Sequence, residues 1–356
     1  MADFPTTAAQ LTAEHLNTYL IQSGHLQDPQ VTDVAHQLIG TGKMGDNARL
    51  TPIYAGDAQT APATLIAKFP AGDEHARAMA GAQGAYYNEV MFYRELAPRT
   101  TMRTPTIFGS ELSEDRTEFL LLMEDMSPAE PGSQFIGESR EHAELALKQA
   151  AQLAATFCDE DFSGCDHVMT PAADDGGAFG AALMEQSWPG FVDRFGHGMS
   201  AEMLAFGERN VHNHSHFVTR FQGPKTLAHG DFRTENILFD GNRTATTVDW
   251  QTPGASSLLT DAAYFLGGSI ETEDRRAWEK DLIEAYRAEL DRQGVSLSFQ
   301  DCWDQYREFA QHGILLTVLG ASFSSPDEHG DRMFMTMIQR HLQHCIDVDA
   351  AEFLPA

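Results

Sequence analysis

The sequence predicts an α+β protein of two lobes, with an antiparallel five-stranded N-lobe that carries one helix and a mainly helical C-lobe. Short alternating or apolar runs, separated by turn residues, dominate the first part of the chain. Apolar side chains at helical spacing dominate the rest. The length of 356 residues also exceeds one ordinary compact core. We therefore expect an N-lobe over residues 1–124 and a C-lobe over residues 125–356.

The N-lobe elements are predicted in a regular order. A helix begins after Thr12, whose hydroxyl can cap its first turn. Apolar side chains at helical spacing after the third strand predict a single long helix over residues 73–96. Five strands are expected. The first is the apolar run around Leu38 and Ile39, and the other four are residues 49–54, 64–69, 107–112 and 118–123.

The C-lobe begins with an Ala- and Leu-rich segment that predicts a helix over residues 141–157. Helical patterns recur over residues 178–221. Two short strands, at 236–239 and 244–249, are joined across Asp240-Gly241, which is a hairpin signal. From residue 261 onward the pattern is mostly helical.

The chain is strongly acidic, with a formal net charge of -28. This charge argues against binding to nucleic acid or to an anionic membrane, both of which need a basic surface. Two explanations stay open: a solvated acidic surface, or attraction of a cationic substrate. Acidic residues such as Glu271, Glu273 and Asp274 fall in helical stretches that look exposed, which favours the solvated surface.

The cysteines and the N-terminus indicate the compartment. Four cysteines include no CxxC pair, so reduced thiols are expected. The first ten residues lack the basic and apolar regions of a signal peptide. No run reaches the ~18 apolar residues of a membrane helix. A soluble cytoplasmic protein is expected.

The strongest motif is His229-Gly230-Asp231, with Asn236 five residues after Asp231 and Asp249 eighteen residues after it. Phosphoryl transfer needs a carboxylate to orient and deprotonate the nucleophile, and oxygen ligands for Mg²⁺. The catalytic loop of kinases has the form H-R-D-x-x-x-x-N and is followed by a metal-binding Asp. The spacing predicts Asp231 as the base and Asn236 and Asp249 as magnesium ligands.

Lys68 is a charged residue in an otherwise apolar strand, where an unpaired charge is costly. Kinases use a strand lysine, paired with a helical glutamate, to hold the α- and β-phosphates of ATP. Glu89 is the expected partner and Glu95 the second choice. The alternative for Lys68 is a charge that protects an edge strand from pairing.

The glycines of Gly40-x-Gly42-x-x-Gly45 also fit a dinucleotide-binding motif, which needs a strand before the loop and a helix after it. The segment that follows alternates like a strand instead. The pattern therefore favours a glycine-rich hairpin whose backbone N–H groups approach the phosphates of ATP.

With these motifs, the chain resembles the aminoglycoside phosphotransferase and choline kinase superfamily, and within it the ecdysteroid-kinase-like bacterial phosphotransferases. The resemblance runs from about Ile39 to Tyr286. Besides the glycine and Lys68 segments, it rests on the stretches 88–96, 120–126, 229–236, 248–251 and 261–266.

The resemblance implies a protein-kinase-like fold, and it implies that the protein uses ATP and Mg²⁺. It also implies that the linker backbone at Met123, Glu124 and Asp125 binds adenine and that Asp261 braces the catalytic loop. Relatives commonly carry a histidine near Thr156, so one structural contact of the family is in doubt here.

A small-molecule acceptor is favoured over a protein. Only eleven residues separate Asp249 from Asp261, and no A-P-E motif ends a peptide-binding activation segment. Aminoglycosides, choline-like amines, sterols and hydroxylated acyl thioesters stay open as acceptors.

The alternatives to a kinase are a nucleotide-binding pseudokinase or scaffold and, from the glycine motif, a nicotinamide-dependent oxidoreductase. The alternating His212, His214 and His216 resemble a metal site only if they lie on a strand.

Overall fold

The structure, a computed structural model, describes residues 3–40, 44–56, 61–170 and 177–355. The chain forms two compact units, each built from several stretches of sequence. Unit 1 comprises Met1–Arg99, Thr104–Pro128 and Val248–Thr252. Unit 2 comprises Thr100–Arg103, Ala129–Thr247 and Pro253–Ala356. The short stretch 248–252, which the sequence places in the C-lobe, thus folds with unit 1.

Unit 1 is built on the predicted five-stranded antiparallel sheet, whose strands lie in the order β1-β2-β3-β5-β4. Helix α1 (Ala13–Gln22) begins after Thr12, whose hydroxyl accepts a hydrogen bond from the His15 amide. The helix buries Leu16 and Leu20 in the core of the sheet. The strands are β1 (Val31–Ile39), β2 (Gly45–Tyr54), β3 (Leu65–Pro70), β4 (Ile107–Leu112) and β5 (Phe119–Glu124).

The helical segment between β3 and β4 is not the single helix that the periodicity predicts. Helix α2 (Glu74–Ala82) ends before Gly84, and helix α3 (Ala85–Met91) begins after it. Gly84 has a φ of 71°, a left-handed conformation that glycine adopts without a steric cost. The chain then continues from α3 through a π-helical turn (Phe92–Leu96) and a short 3₁₀ turn (Ala97–Arg99). The glycine therefore ends one helix and sets a new direction for the helix that carries Glu89.

Unit 2 is mainly helical, as predicted. Helix α8 is buried along its whole length, so the other helices of this unit cover it. The helices are α4 (Arg140–Thr156), α5 (Ala178–Phe195), α6 (Ala201–His212), α7 (His214–Arg220), α8 (Thr260–Ser269), α9 (Thr272–Arg292), α10 (Phe299–Phe309), α11 (His312–Phe323) and α12 (Glu328–Asp347).

Two small antiparallel sheets complete unit 2. One contains β6, β8 and β9, and the other contains β7 and β10. The predicted hairpin is present as β8 and β9, whereas the other three strands were not predicted, because two to four residues are too few to show a period. The strands are β6 (Glu130–Pro131), β7 (Lys225–Ala228), β8 (Ile237–Asp240), β9 (Thr244–Thr247) and β10 (Gly254–Ser257).

Throughout the part of the chain that the structure describes, no helix is both long enough and apolar enough to cross a membrane.

Candidate active site

Lys68 lies on the central strand β3, which explains why its neighbours along the chain are apolar. Its ammonium group contacts both carboxylate oxygens of Glu89, at 2.8 and 2.7 Å, and Oδ1 of Asp249 at 3.0 Å. Glu89 lies on α3 and its side chain is 1% exposed. Glu95 is exposed on the π-helical turn. The structure thus pairs Lys68 with Glu89, and it adds Asp249 as a further partner.

Lys68 keeps its charge despite burial, whereas burial raises the pKa of Glu89 above its usual value. Burial alone would lower the pKa of Lys68, but the carboxylates of Asp249 and Glu89 outweigh it and raise that pKa above its usual value. The lysine therefore stays protonated. Two carboxylates that share one ammonium leave a local excess of negative charge if both are ionised, which suits a further cation.

Asp249 has an unusual backbone, with a φ of 68°. This left-handed conformation is uncommon for a residue other than glycine and often occurs at functional sites. The two residues after it anchor the segment within unit 1. The indole of Trp250 stacks on the ring of Phe92, and the carbonyl of Gln251 accepts a hydrogen bond from Asn88 at 3.1 Å. The carboxylate of Asp249 is 41% exposed and so can reach a ligand from solvent.

The glycine-rich segment joins two antiparallel strands, β1 and β2. Gly40 follows β1 with a φ of 73°. Gly45 begins β2, where a Cβ would lie 2.9 Å from the Phe69 carbonyl oxygen, so close packing on β3 requires glycine there. Gly42 lies outside the described residues. Because a strand follows the loop, the strand–loop–helix arrangement of a nicotinamide-binding site is absent here, and that alternative is wrong.

The linker segment begins at the end of β5. Met123 and Glu124 belong to the sheet, and the Glu124 amide donates to the Thr106 carbonyl at 2.9 Å. The carboxylate of Asp125 accepts a hydrogen bond from Nε of Arg49 at 2.7 Å. Burial would raise the pKa of Asp125, but the hydrogen bonds from Arg49 and its other neighbours lower it overall. The Asp125 side chain therefore serves the structure of unit 1.

The segment predicted to be the catalytic loop lies between β7 and β8 in unit 2. The amides of His229 and Gly230 donate to the two oxygens of Asp261, at 2.7 and 3.1 Å. Asp261 lies on the buried helix α8, so the loop is fixed to the centre of unit 2. On the other side, Nε2 of His312 contacts the Gly230 carbonyl at 2.7 Å. The bracing role that the resemblance implies for Asp261 matches this geometry.

Both oxygens of the Asp231 carboxylate are held. Oδ1 accepts a hydrogen bond from the hydroxyl of Tyr264 at 2.8 Å. Oδ2 accepts from Nδ2 of Asn236 at 3.0 Å and from Nε of Arg233 at 3.3 Å. Because Nδ2 of Asn236 is turned toward Asp231, its amide oxygen is the atom suited to bind a metal.

The sequence did not single out Tyr264, Arg233 or His312. Tyr264 follows Asp261 by three residues, which places both on one face of a helix, so this spacing is a signal that could have been used. His312 lies 82 residues from its partner and carries no local signal.

The side-chain oxygens of Asp249 and Asn236 are of the type that Mg²⁺ prefers as ligands. Mg²⁺ binds through one or two protein oxygens together with waters and phosphate oxygens, and Asp249 and Asn236 both offer oxygens. Among the described residues, no group of three or more His, Cys, Asp or Glu side chains could hold a metal. His214 is buried at the start of α7, whereas His212 and His216 are exposed, so these three imidazoles do not face one ion.

Residues 48–299 match the model of the ecdysteroid kinase-like family. No curated protein matches the sequence. Among solved structures, the fold is similar to an ethanolamine kinase of Plasmodium vivax, with a TM-score of 0.56 and 11% identity over 98% of this chain and 91% of that one.

Two further solved structures have a similar fold. A choline kinase of Cryptosporidium parvum has a TM-score of 0.55 and 10% identity, over 90% of this chain and 92% of that one. The GDP complex of aminoglycoside 2'-phosphotransferase-IIIa has a TM-score of 0.54 and 12% identity, over 93% of this chain and 98% of that one. At such identities these likenesses establish the fold, and the family match covers most of the chain. The chain belongs to the ecdysteroid kinase-like family and has the protein-kinase-like fold of the aminoglycoside phosphotransferase and choline kinase superfamily.

Proposed function

We propose that this protein transfers the γ-phosphoryl group of ATP to a hydroxyl group of a small molecule, and that it depends on Mg²⁺. The observation that carries the proposal is the ammonium of Lys68, which contacts both Glu89 and Asp249 within unit 1. This is the arrangement of charges that kinases use to bind ATP phosphates and metal. Asp231 and Asn236 supply the remaining polar groups, and a pseudokinase would usually have lost at least one residue of the set.

The nucleotide is assigned to unit 1. Lys68, held in place by Glu89, donates hydrogen bonds to the α- and β-phosphates. The backbone N–H groups of Gly40 and Gly45 are assigned to the phosphates, and the predicted role of Gly42 falls outside the described residues. The linker backbone at Met123, Glu124 and Asp125 binds the adenine. Asp249 and Asn236 would hold Mg²⁺, which, when bound, neutralises charge on the phosphate oxygens.

Asp231 is assigned as the base. Its carboxylate orients the acceptor hydroxyl and takes its proton as the acceptor oxygen forms a bond to the γ-phosphorus. The bond between this phosphorus and the β–γ bridging oxygen breaks, and ADP leaves with the bonding electrons. Tyr264, Asn236 and Arg233 hold the carboxylate in one orientation for this transfer.

A small acceptor is supported by the short path from Asp249 to α8. Between them, β10 pairs with β7 and Thr260 already begins the helix, so this stretch forms a strand and a helix start in place of a peptide platform. The structural relatives include kinases of ethanolamine and choline and an aminoglycoside phosphotransferase. We therefore place the acceptor among small alcohols, including amino alcohols, aminoglycosides, sterols and hydroxylated acyl thioesters.

A mass-spectrometric screen tests the proposal. The protein is incubated with Mg-ATP and a panel of these alcohols, and phosphorylated products are sought together with ADP. We expect at least one alcohol to be phosphorylated by the wild type and not by Asp231→Asn. If Mg-ATP raises the melting temperature but no alcohol is phosphorylated, the pseudokinase alternative is favoured. If millimolar Mg-ATP leaves the melting temperature unchanged, the proposal is wrong.

A further inference from the structure

Tyr264 is a buried tyrosine on the central helix α8 whose hydroxyl donates to Oδ1 of Asp231 at 2.8 Å. Tyr264 is only 1% exposed. Burial and the negative charge of Asp231 raise the pKa of Tyr264 well above its usual value. The phenol therefore stays protonated and acts as a hydrogen-bond donor to the carboxylate.

Two histidines hold the Tyr264 ring in place. The imidazole of His341, on α12, stacks on it with centroids 5.0 Å apart and planes 4° apart. The imidazole of His312, on α11, meets it edge-on at 5.5 Å and 83°. Burial lowers the pKa of His341 to about 3, so this ring is neutral and can stack without bringing a charge into the core. The ring of Tyr264 is therefore fixed in plane and in position.

The helices around His341 are shaped to admit its imidazole. Gly267 and Gly268 on α8 and Gly313 on α11 all face this ring, and a Cβ on Gly268 would lie 2.6 Å from Nε2 of His341. Glycine is unfavourable inside a helix, so its presence at these positions needs a packing reason. At Gly268 and Gly313 the reason is the imidazole that supports Tyr264, and at Gly267 this reason is shared with the imidazole of His344.

The effect on Asp231 follows from how its two oxygens are held. Asn236 and Arg233 bind Oδ2, and both lie within five residues of Asp231 on the same loop. Tyr264 binds Oδ1 from a different element, 33 residues along the chain. Without Tyr264, the carboxylate would be held through one oxygen and could turn about its Cβ–Cγ bond. A base that turns in this way loses alignment with the hydroxyl it must deprotonate.

We propose that Tyr264 is a positioning residue for phosphoryl transfer, which fixes the plane of the Asp231 carboxylate and is itself fixed by the stacked ring of His341. This inference rests on the proposed function, because it assigns Tyr264 a role in the reaction for which Asp231 is the base. Tyr264 does not bind the nucleotide or the metal in this proposal, so its loss acts on the rate of transfer.

The test compares Tyr264→Phe, which keeps the ring and removes the hydroxyl, with the wild type. Rates are measured with Mg-ATP and the alcohol that the screen identifies. We expect kcat to fall about 10- to 100-fold, while the KM for ATP stays within about twofold. Tyr286→Phe is the matched control, because Tyr286 is equally buried in unit 2 but donates to the Leu258 carbonyl. Its kcat should equal that of the wild type once the fold is intact.

A double-mutant comparison identifies the route of the effect. If Tyr264 acts through the Asp231 carboxylate, adding Tyr264→Phe to Asp231→Asn causes no further loss of kcat. An equal fractional loss in both backgrounds, or a Tyr264→Phe variant with full kcat, overturns the inference. Crystal structures of both proteins supply a readout that does not need turnover: the Asp231 carboxylate should change its plane in Tyr264→Phe, and an unchanged plane contradicts the proposal. A wild type that phosphorylates nothing refutes the proposed function and leaves this structural readout to decide the role of Tyr264.

Discussion

Phe92 and Trp250 stack face to face, with ring centroids 3.5 Å apart and planes 5° apart. Phe92 follows Glu89 by three residues, and Trp250 directly follows Asp249. The stack therefore joins the two segments whose carboxylates share Lys68. Because Trp250 is fully buried, this contact is also part of the core of unit 1.

Trp250→Ala should affect both stability and ligand binding. Loss of a fully buried tryptophan is expected to lower the free energy of unfolding by about 3–5 kcal/mol. It should also weaken Mg-ATP binding, since Asp249 loses its neighbouring anchor. Trp250→Phe keeps a ring on Phe92 and should retain most of the affinity. Urea unfolding and calorimetric titration with Mg-ATP measure the two effects, with the half-buried Trp303 mutated to Ala as a control. Unchanged affinity in folded Trp250→Ala would show that the stack serves the core alone.

Lys68→Met should separate folding from phosphate binding. It leaves the buried carboxylate of Glu89 without its cation, which costs about 3–5 kcal/mol of stability if the carboxylate stays ionised. The double variant Lys68→Met with Glu89→Gln removes both charges and should recover much of this loss. It should not recover the rise in melting temperature caused by Mg-ATP, because the group that binds the phosphates is absent. A double variant that responds to Mg-ATP like the wild type contradicts the role of Lys68.

Asp231→Asn and Asp249→Asn should fail in different ways. Asp231→Asn loses the base, so kcat should fall about 100-fold or more while Mg-ATP affinity changes little. Asp249→Asn loses a charged metal ligand, so it should weaken nucleotide binding in the presence of Mg²⁺, and excess Mg²⁺ should restore part of it. Asn236→Ala should fall between them. Nucleotide affinity with and without Mg²⁺ measures the difference, and the opposite pattern would reverse the two assignments.

His214 should make the protein less stable in mild acid. Burial, with a smaller contribution from His312, lowers the pKa of His214 from 6.5 to about 4. Between these values the unfolded chain binds a proton that the folded protein does not, so stability falls as pH drops from about 6.5 to about 4. The full difference corresponds to about 3 kcal/mol.

Urea unfolding at several pH values measures this slope, to which other buried histidines also contribute. His214→Gln should reduce the slope, and His216→Gln, at an exposed position on the same helix, should leave it unchanged. A proton NMR titration of the His214 ring gives its pKa directly. A midpoint near 6.5 in the folded protein contradicts the prediction.

Features encoded by neighbouring residues could be predicted from the sequence. The alternation of apolar residues gives the sheet of unit 1, and the hairpin of β8 and β9 follows from its turn residues. The contact between Asn236 and Asp231 spans five residues, so the loop motif itself indicates it. The break between α2 and α3 at Gly84 could not be predicted from the sequence, because one glycine within a helical period can either be tolerated or end the helix.

Contacts made by tertiary packing leave no pattern next to the loop that they reach, although the spacing of Tyr264 from Asp261 is a signal on α8 itself. Tyr264 and His312 reach the catalytic loop from 33 and 82 residues away. The same is true of Trp250, whose partner Phe92 lies in another stretch of unit 1. Asp249 was found from its spacing to Asp231, but its contact with Lys68 could not be derived from that spacing, since it depends on how 248–252 packs in unit 1.

The path of the chain through unit 1 has a consequence for its evolution and for protein engineering. Val248–Thr252 completes this unit, although more than a hundred residues of unit 2 separate it from Pro128 in the sequence. A gene fragment that ends at Pro128 therefore encodes the strands and α3 but omits the aromatic partner of Phe92 and one of the two carboxylates that neutralise Lys68. Unit 1 is therefore not encoded by one continuous stretch of the gene, and a continuous fragment that contains all of it also carries the residues of unit 2 between Pro128 and Val248.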